Sequence, residues 1–105
     1  MRNLANYLRT KQPELVADIP ADELSDVIHN GIARAAKYSI NWDSSLALFL
    51  AFMLRTAPNF DEHPKIQQLL SDERMEPNAR IETMLAHTTD KDWREVMARY
   101  DESAW

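Results

Sequence analysis

Leu46-Ala47-Leu48-Phe49-Leu50-Ala51-Phe52-Met53-Leu54 is the longest apolar run in the chain. A run of this kind suits either a buried helix or a buried strand. Its length, its two alanines and its lack of β-branched residues favour a helix. Asn41 or Asp43 can cap that helix, which is expected to reach about Thr56. A helix apolar on every side is buried on every side, so this segment is predicted to be the central one, with the others packed about it.

Upstream, Leu24, Val27, Ile28, Gly31, Ile32 and Ala35 recur in steps of three and four. This spacing predicts a helix from about Pro20 to Tyr38, with a proline at its first turn. Gly31 lies on the apolar stripe. A mid-helix glycine costs about 1 kcal/mol relative to alanine, which close approach of another helix would offset. Because the stripe stays in phase beyond Gly31, the helix is read as unbroken. Leu4, Tyr7 and Leu8 form a shorter stripe that stops at Pro13, and Leu15, Val16 and Ile19 follow as a single turn or the end of a bent first helix.

Downstream, Pro58 ends the central helix and residues 57–64 form the main loop, with Phe60 plugging it onto the core. Pro64 starts a helix to about Leu70, with Ile66, Leu69 and Leu70 facing inward. Pro77 starts another, through Ile81, Met84 and Leu85 to about His87. Thr88 or Thr89 caps the last, whose expected stripe is Trp93, Val96, Met97 and Tyr100. The predicted fold is a single all-α domain over residues 1–105, a bundle of five or six helices around the segment at about 42–56.

The composition narrows the function. The chain has 105 residues, no cysteine and one glycine. Thiolate metal sites, thiol nucleophiles and glycine-rich phosphate loops are therefore excluded. The net charge is −5. Residues 1–40 hold five basic and five acidic side chains, so the excess lies in residues 41–105. Nucleic acid needs a positive footprint, and none is found. Nucleic acid and anionic membranes are poor partners, whereas a basic protein suits the charge. Membrane spans need about 20 apolar residues, and residues 1–13 lack the continuous apolar stretch of a secretory signal. The expected location is the cytoplasm.

Asp61-Glu62-His63 is the densest group of metal-binding or acid–base side chains. Adjacent residues rarely converge on one ion, and no His-x-x-x-His pair supports them. Loop bonds and a cap ahead of Pro64 are the simpler roles for Asp61 and His63. Asp22, Glu23 and Asp26 crowd one helix start, and Asp72, Glu73 and Glu76 crowd a link; both sets read as solvated or dipole-complementing. Ser44 and Ser45 lack a glycine elbow and a histidine partner. No catalytic residue, metal ligand or cofactor is implied, and the reading is non-enzymatic. Trp42 and Trp93 suit core positions, while exposed aromatics beside charge would resemble a binding hot spot with a polar rim. The partner-facing set is Trp42, Phe60, Asp61, Glu62, His63, Asp101, Glu102 and Trp105, with Trp105 either docked or free.

Gly31-Ile32-Ala33-Arg34-Ala35, then Tyr38 and Ile40, then Leu48-Phe49, Met53, Pro58, Phe60-Asp61 and Pro64 form a spaced series. The series resembles small helical proteins and C-terminal domains encoded beside type VI secretion spike and effector genes in Gram-negative bacteria. Their pattern has a Gly-Ile-x-Arg-Ala helix, a Tyr-Gly-Ile turn, an apolar helix and a Gly-Pro-x-Phe-Asp-x-x-Pro loop. Here Ser39 and Ala57 stand where that pattern has glycines, and the likeness covers about residues 28–70. The resemblance implies an accessory role: an adaptor or chaperone for an effector or spike component, or an immunity protein that binds a toxin. It carries no catalytic residues. A second copy of the chain is an allowed partner. Arg34 is expected to reach a carboxylate such as Asp61.

Overall fold

The apolar run forms the helix that its composition demands. The computed structural model describes residues 4–11 and 13–105. In it the run lies within α4 (Asp43–Arg55), where Ser45, Leu46, Ala47, Phe49, Leu50, Ala51 and Met53 are all buried. Three positions of the run depart from full burial. Leu48 is 37% exposed, and Phe52 and Leu54 are half-buried. Leu48 and Phe52, four apart, share one face, while Leu54 lies on another, so α4 is central without being wholly enclosed.

The remaining helices are α1 (Leu4–Lys11), α2 (Pro13–Val16), α3 (Ala21–Ala36), α5 (Pro64–Leu70), α6 (Arg80–His87) and α7 (Asp90–Ala98). Three short 3₁₀ turns interleave with them, at Phe60–Glu62, Pro77–Ala79 and Glu102–Ala104. The fold is all-α, with no strand among the described residues. The helix beyond the expected five or six is the one-turn α2, which Pro13 opens. α3 and α1 lie against α4, and α6 packs on α5 and on α4. Aromatic rings tie the far side to this centre: Phe49 meets Phe60 at 4.9 Å, and Phe52 stacks on Trp93 at 5.2 Å.

α3 runs unbroken through Gly31. A Cβ there would collide with Leu50 Cδ2 and lie 3.3 Å from Met53 Sδ. The glycine therefore marks the α3–α4 crossing, as its place on the stripe implies.

The end of α3 contains the one described non-glycine residue with positive φ, Ser39 at 61°. Ile40 N–H donates to Ala35 O at 3.1 Å, and Ser39 N–H to Ala36 O at 3.1 Å. This is the paired bonding of a Schellman motif, with Ser39 in the left-handed position that glycine usually fills. The left-handed region costs an L-residue about 1–2 kcal/mol, part of which glycine's greater unfolded-state entropy would cancel. Ser39→Gly is therefore expected to raise stability by about 0.5–1 kcal/mol, or roughly 4 °C in melting temperature. Thermal unfolding of the two proteins measures the difference.

The last two helices are rotated from their expected faces. In α6, Leu85 is 43% exposed, and Arg80 joins Ile81 and Met84 on the buried side. In α7, Met97 is 56% exposed, while Asp92 and Val96 are buried and Trp93 half-buried; Tyr100, beyond the helix end, is also exposed. Both shifts follow from polar partners. Arg80 donates to three backbone carbonyls, and Asp92 completes a capping box with Thr89 at the start of α7.

Candidate functional site

The loop at 57–64 is built inward. Phe60 is fully buried between α4 and α7, in contact with Phe49, Phe52 and Trp93. It plugs the loop as expected, and it presents no surface to a partner. Asp61 is buried as well. Its Oδ1 accepts from Arg34 Nη1 at 3.0 Å and its Oδ2 from the Tyr38 hydroxyl at 2.8 Å. The Arg34–Asp61 pair anticipated from the sequence is thus present. Glu62 is exposed and takes a second bond from Arg34 Nη1 at 3.3 Å, while Arg34 Nε is buried without a partner. Burial of the Tyr38 phenol, followed by its bond to the Asp61 carboxylate, raises its pKa well above the usual tyrosine range. The hydroxyl keeps its proton and its bond.

His63 is also buried. Its Nδ1 accepts the Lys65 backbone N–H at 3.3 Å, which caps α5, and its Nε2 lies 3.2 Å from Glu95 Oε1. Lys65 Nζ is 2.9 Å from Asp92 Oδ2. The bond from Lys65 is the main reason that the Asp92 carboxyl titrates at about 2; the Thr89 backbone N–H is the next cause.

His63, Asp92 and Glu95 bring one donor atom each to within 4.8 Å of one another. Their bonding suits an ion-pair network better than a metal. Because Nδ1 accepts a backbone N–H, the ring proton belongs on Nε2, the atom that faces Glu95. Asp92 Oδ2 already accepts from Thr89 N, Thr89 Oγ1 and Lys65 Nζ. A metal ion would have to displace both the ring proton and the lysine ammonium.

Asp101 and Glu102 are exposed, but the segment that carries them is docked. Asn59 holds it from both sides, donating to Arg99 O at 2.9 Å and accepting from Asp101 N at 3.1 Å. Ser103 donates to Asp101 from both its hydroxyl and its backbone N–H, which lowers the Asp101 pKa. Trp105 is half-buried against the core, and its Nε1 donates to the Tyr100 hydroxyl at 2.7 Å. Of the two arrangements open to it, Trp105 docks. Beside this loop a cavity of about 300 Å³ is lined by Asn59, Glu62, His63, Val96, Arg99 and Asp101. Its lining carries two carboxylates, Glu62 and Asp101, and one guanidinium, Arg99.

Trp42 is placed differently. It is 59% exposed, outside the core, yet its backbone is fixed. Asn78 Oδ1 accepts from Asn41 N at 3.1 Å and from Trp42 N at 2.8 Å. Asn78 Nδ2 donates to Asn41 Oδ1 and to Glu76 Oε1, and the Asn78 carbonyl accepts from Ser45 Oγ. The bond from Asn78 is the first cause of a lowered Glu76 pKa. One buried asparagine thus ties the start of α4 to the turn before α6. Between them lies a cleft of about 230 Å³, with Trp42 and Leu48 as its apolar wall and Glu76 and Glu82 at its edge.

Sequence reasoning missed Asn78 and Arg80. Nothing in Glu76-Pro77-Asn78 marks a buried hub. For Arg80 a signal did exist, since it stands one helical step of four before Met84.

Among the described residues no helix is long and apolar enough to cross a membrane. Compared with protein-family models, curated proteins and solved structures, the chain matches none of them.

Proposed function

We propose that this protein is a non-enzymatic binding module that serves a type VI secretion effector or spike component as adaptor or chaperone. The observation that carries the binding part is Trp42: a large aromatic, mostly exposed, on a backbone that Asn78 holds still. Rigid aromatics with an acidic edge are the chemistry of an interface anchor. The loop groups best suited to catalysis, Asp61 and His63, are committed to bonds that hold the fold. The type VI assignment rests on the resemblance of residues 28–70.

A second reading, an immunity protein, draws on the acidic excess of the chain, which suits a basic toxin. Deleting the gene separates the two: self-poisoning by one neighbouring toxin indicates immunity, and failed export from healthy cells indicates an adaptor.

The test of the anchor is co-purification with the effector, spike component or toxin encoded beside the gene. Trp42→Ala is expected to weaken that complex by about 30-fold, the scale of a hot-spot aromatic. The exposed position should leave the melting temperature within about 2 °C. A Trp42→Ala protein that retains its partner undiminished removes the anchor.

A further inference from the structure

From Gln12 to Ala33 the chain contains no lysine or arginine, but it does contain Glu14, Asp18, Asp22, Glu23 and Asp26. Only Glu14 has an ion pair among the described residues, with Arg55 at 3.8 Å. The others form none among those residues. Glu23 and Asp26 lie three apart on α3 and so share a face.

That face borders a groove of about 420 Å³. Ile19, Val27, Leu54 and Trp105 form its apolar wall, and Glu23 and Asp26 its charged edge. All four apolar residues pack partly against the core, so the wall is firmly set. Asn30 Nδ2 donates to Ala104 O at 2.6 Å, which pins the Trp105 segment to α3. Leu54 belongs to the last turn of α4, and the C-terminal end of a helix carries negative partial charge.

We propose that this groove receives an arginine side chain from a basic partner protein. Charge complementarity selects the occupant. Two carboxylates with no ion pair among the described residues make the edge costly for a plain apolar group and favourable for a cation. The apolar wall in turn suits a cation with a long stem. Arginine meets both demands: its methylenes lie on Val27 and Leu54, its guanidinium stacks on the Trp105 indole, and its N–H groups donate to Glu23 and Asp26. Lysine is more strongly hydrated and stacks less well. Leu54 and Trp42 flank opposite ends of α4, about 18 Å apart for a helix of this length, so this seat is separate from the Trp42 cleft. It relies on the binding-module reading only in that a protein supplies the arginine.

The test is a nitrogen–proton correlation titration with a capped Ala-Arg-Ala-Arg-Ala peptide, following the three indole N–H signals. Trp105→Phe assigns the relevant signal. The expected result is a saturable shift at Trp105. A peptide with citrulline for arginine, similar in shape but uncharged, should bind at least about tenfold more weakly, because bonds between charged groups are lost. The exposed double variant Glu23→Gln, Asp26→Asn should weaken the arginine peptide by about the same factor, and Trp42→Ala should leave its binding unchanged. No shift at Trp105 with millimolar peptide overturns the proposal, as does equal binding of the citrulline peptide or of the double variant. A shift confined to Trp42 overturns this seat and leaves the Trp42 anchor standing.

Discussion

Gly31→Leu is expected to cost about 3 kcal/mol of stability and to lower the melting temperature by at least about 12 °C. The crossing of α3 over α4 leaves no room for a side chain. A Cβ on Gly31 would overlap Leu50 Cδ2, and it would lie 3.2 Å from Leu50 Cγ and 3.3 Å from Met53 Sδ. Leu50 and Met53 are both fully buried, so neither can swing into solvent. Gly31→Ala is a finer probe, because two effects oppose each other. Alanine gains about 1 kcal/mol in helix propensity, while overpacking a dense core costs about 1–3 kcal/mol. The net expectation is a loss of about 1 kcal/mol. Leu50→Ala alone should cost about 2–5 kcal/mol, since it opens a cavity at the crossing. In that background the clash is gone, and Gly31→Ala should become stabilising. Denaturant unfolding of the four proteins in this cycle reads the change of sign directly. Should Gly31→Ala stabilise the wild-type chain outright, α3 and α4 do not cross this tightly.

What made this crossing legible was phase. The stripe from Leu24 to Ala35 keeps one face over three turns, and Gly31 falls in its middle. Pro64 marks a helix start for an equally local reason, and Arg34 found Asp61 as expected. The last two helices show where the approach runs out. With only eight and nine residues, α6 and α7 give too few apolar positions to separate one phase from its neighbour. The choice went to polar residues, Arg80 and Asp92, each with at least one partner far along the chain, Tyr38 and Lys65. Asp92 turned inward to Thr89 and Lys65, and Met97 turned out. The Trp42 cleft depends on Asn78, 36 residues away, and no local pattern announces such a bond. The acidic stretch at 12–33 was hidden by arithmetic. Counted over residues 1–40, its carboxylates are balanced by Arg2, Arg9, Lys11, Arg34 and Lys37, all of which lie outside it.

Arg80→Ala is expected to be the most damaging truncation of a polar residue, at about 3–5 kcal/mol. The guanidinium is buried, and its hydrogen bonds all run to backbone carbonyls. Nη1 donates to Tyr38 O at 3.1 Å and to Leu70 O at 3.0 Å, and Nε donates to Met75 O at 3.2 Å. Those carbonyls belong to the turn after α3, the last residue of α5 and the link before α6. Carbonyls at helix ends lack partners within the helix and carry its negative partial charge. One cation therefore satisfies three segments and is itself stabilised by their dipoles. Removing it leaves three acceptors unpaired, of which the Tyr38 and Leu70 carbonyls are in buried bonds and the Met75 carbonyl in a partly buried one, each at a cost of about 1–3 kcal/mol where water does not reach it. Two further variants separate packing from bonding. Arg80→Met keeps most of the stem and loses every donor, so it should recover little. Arg80→Lys keeps the charge, but a single ammonium cannot match a planar fork with donors on both sides, so it should fall between. The expected order of stability in urea is wild type, lysine, methionine, alanine. If methionine equalled wild type, the three carbonyls would be finding water, and the burial of Arg80 would contribute only the packing of its stem.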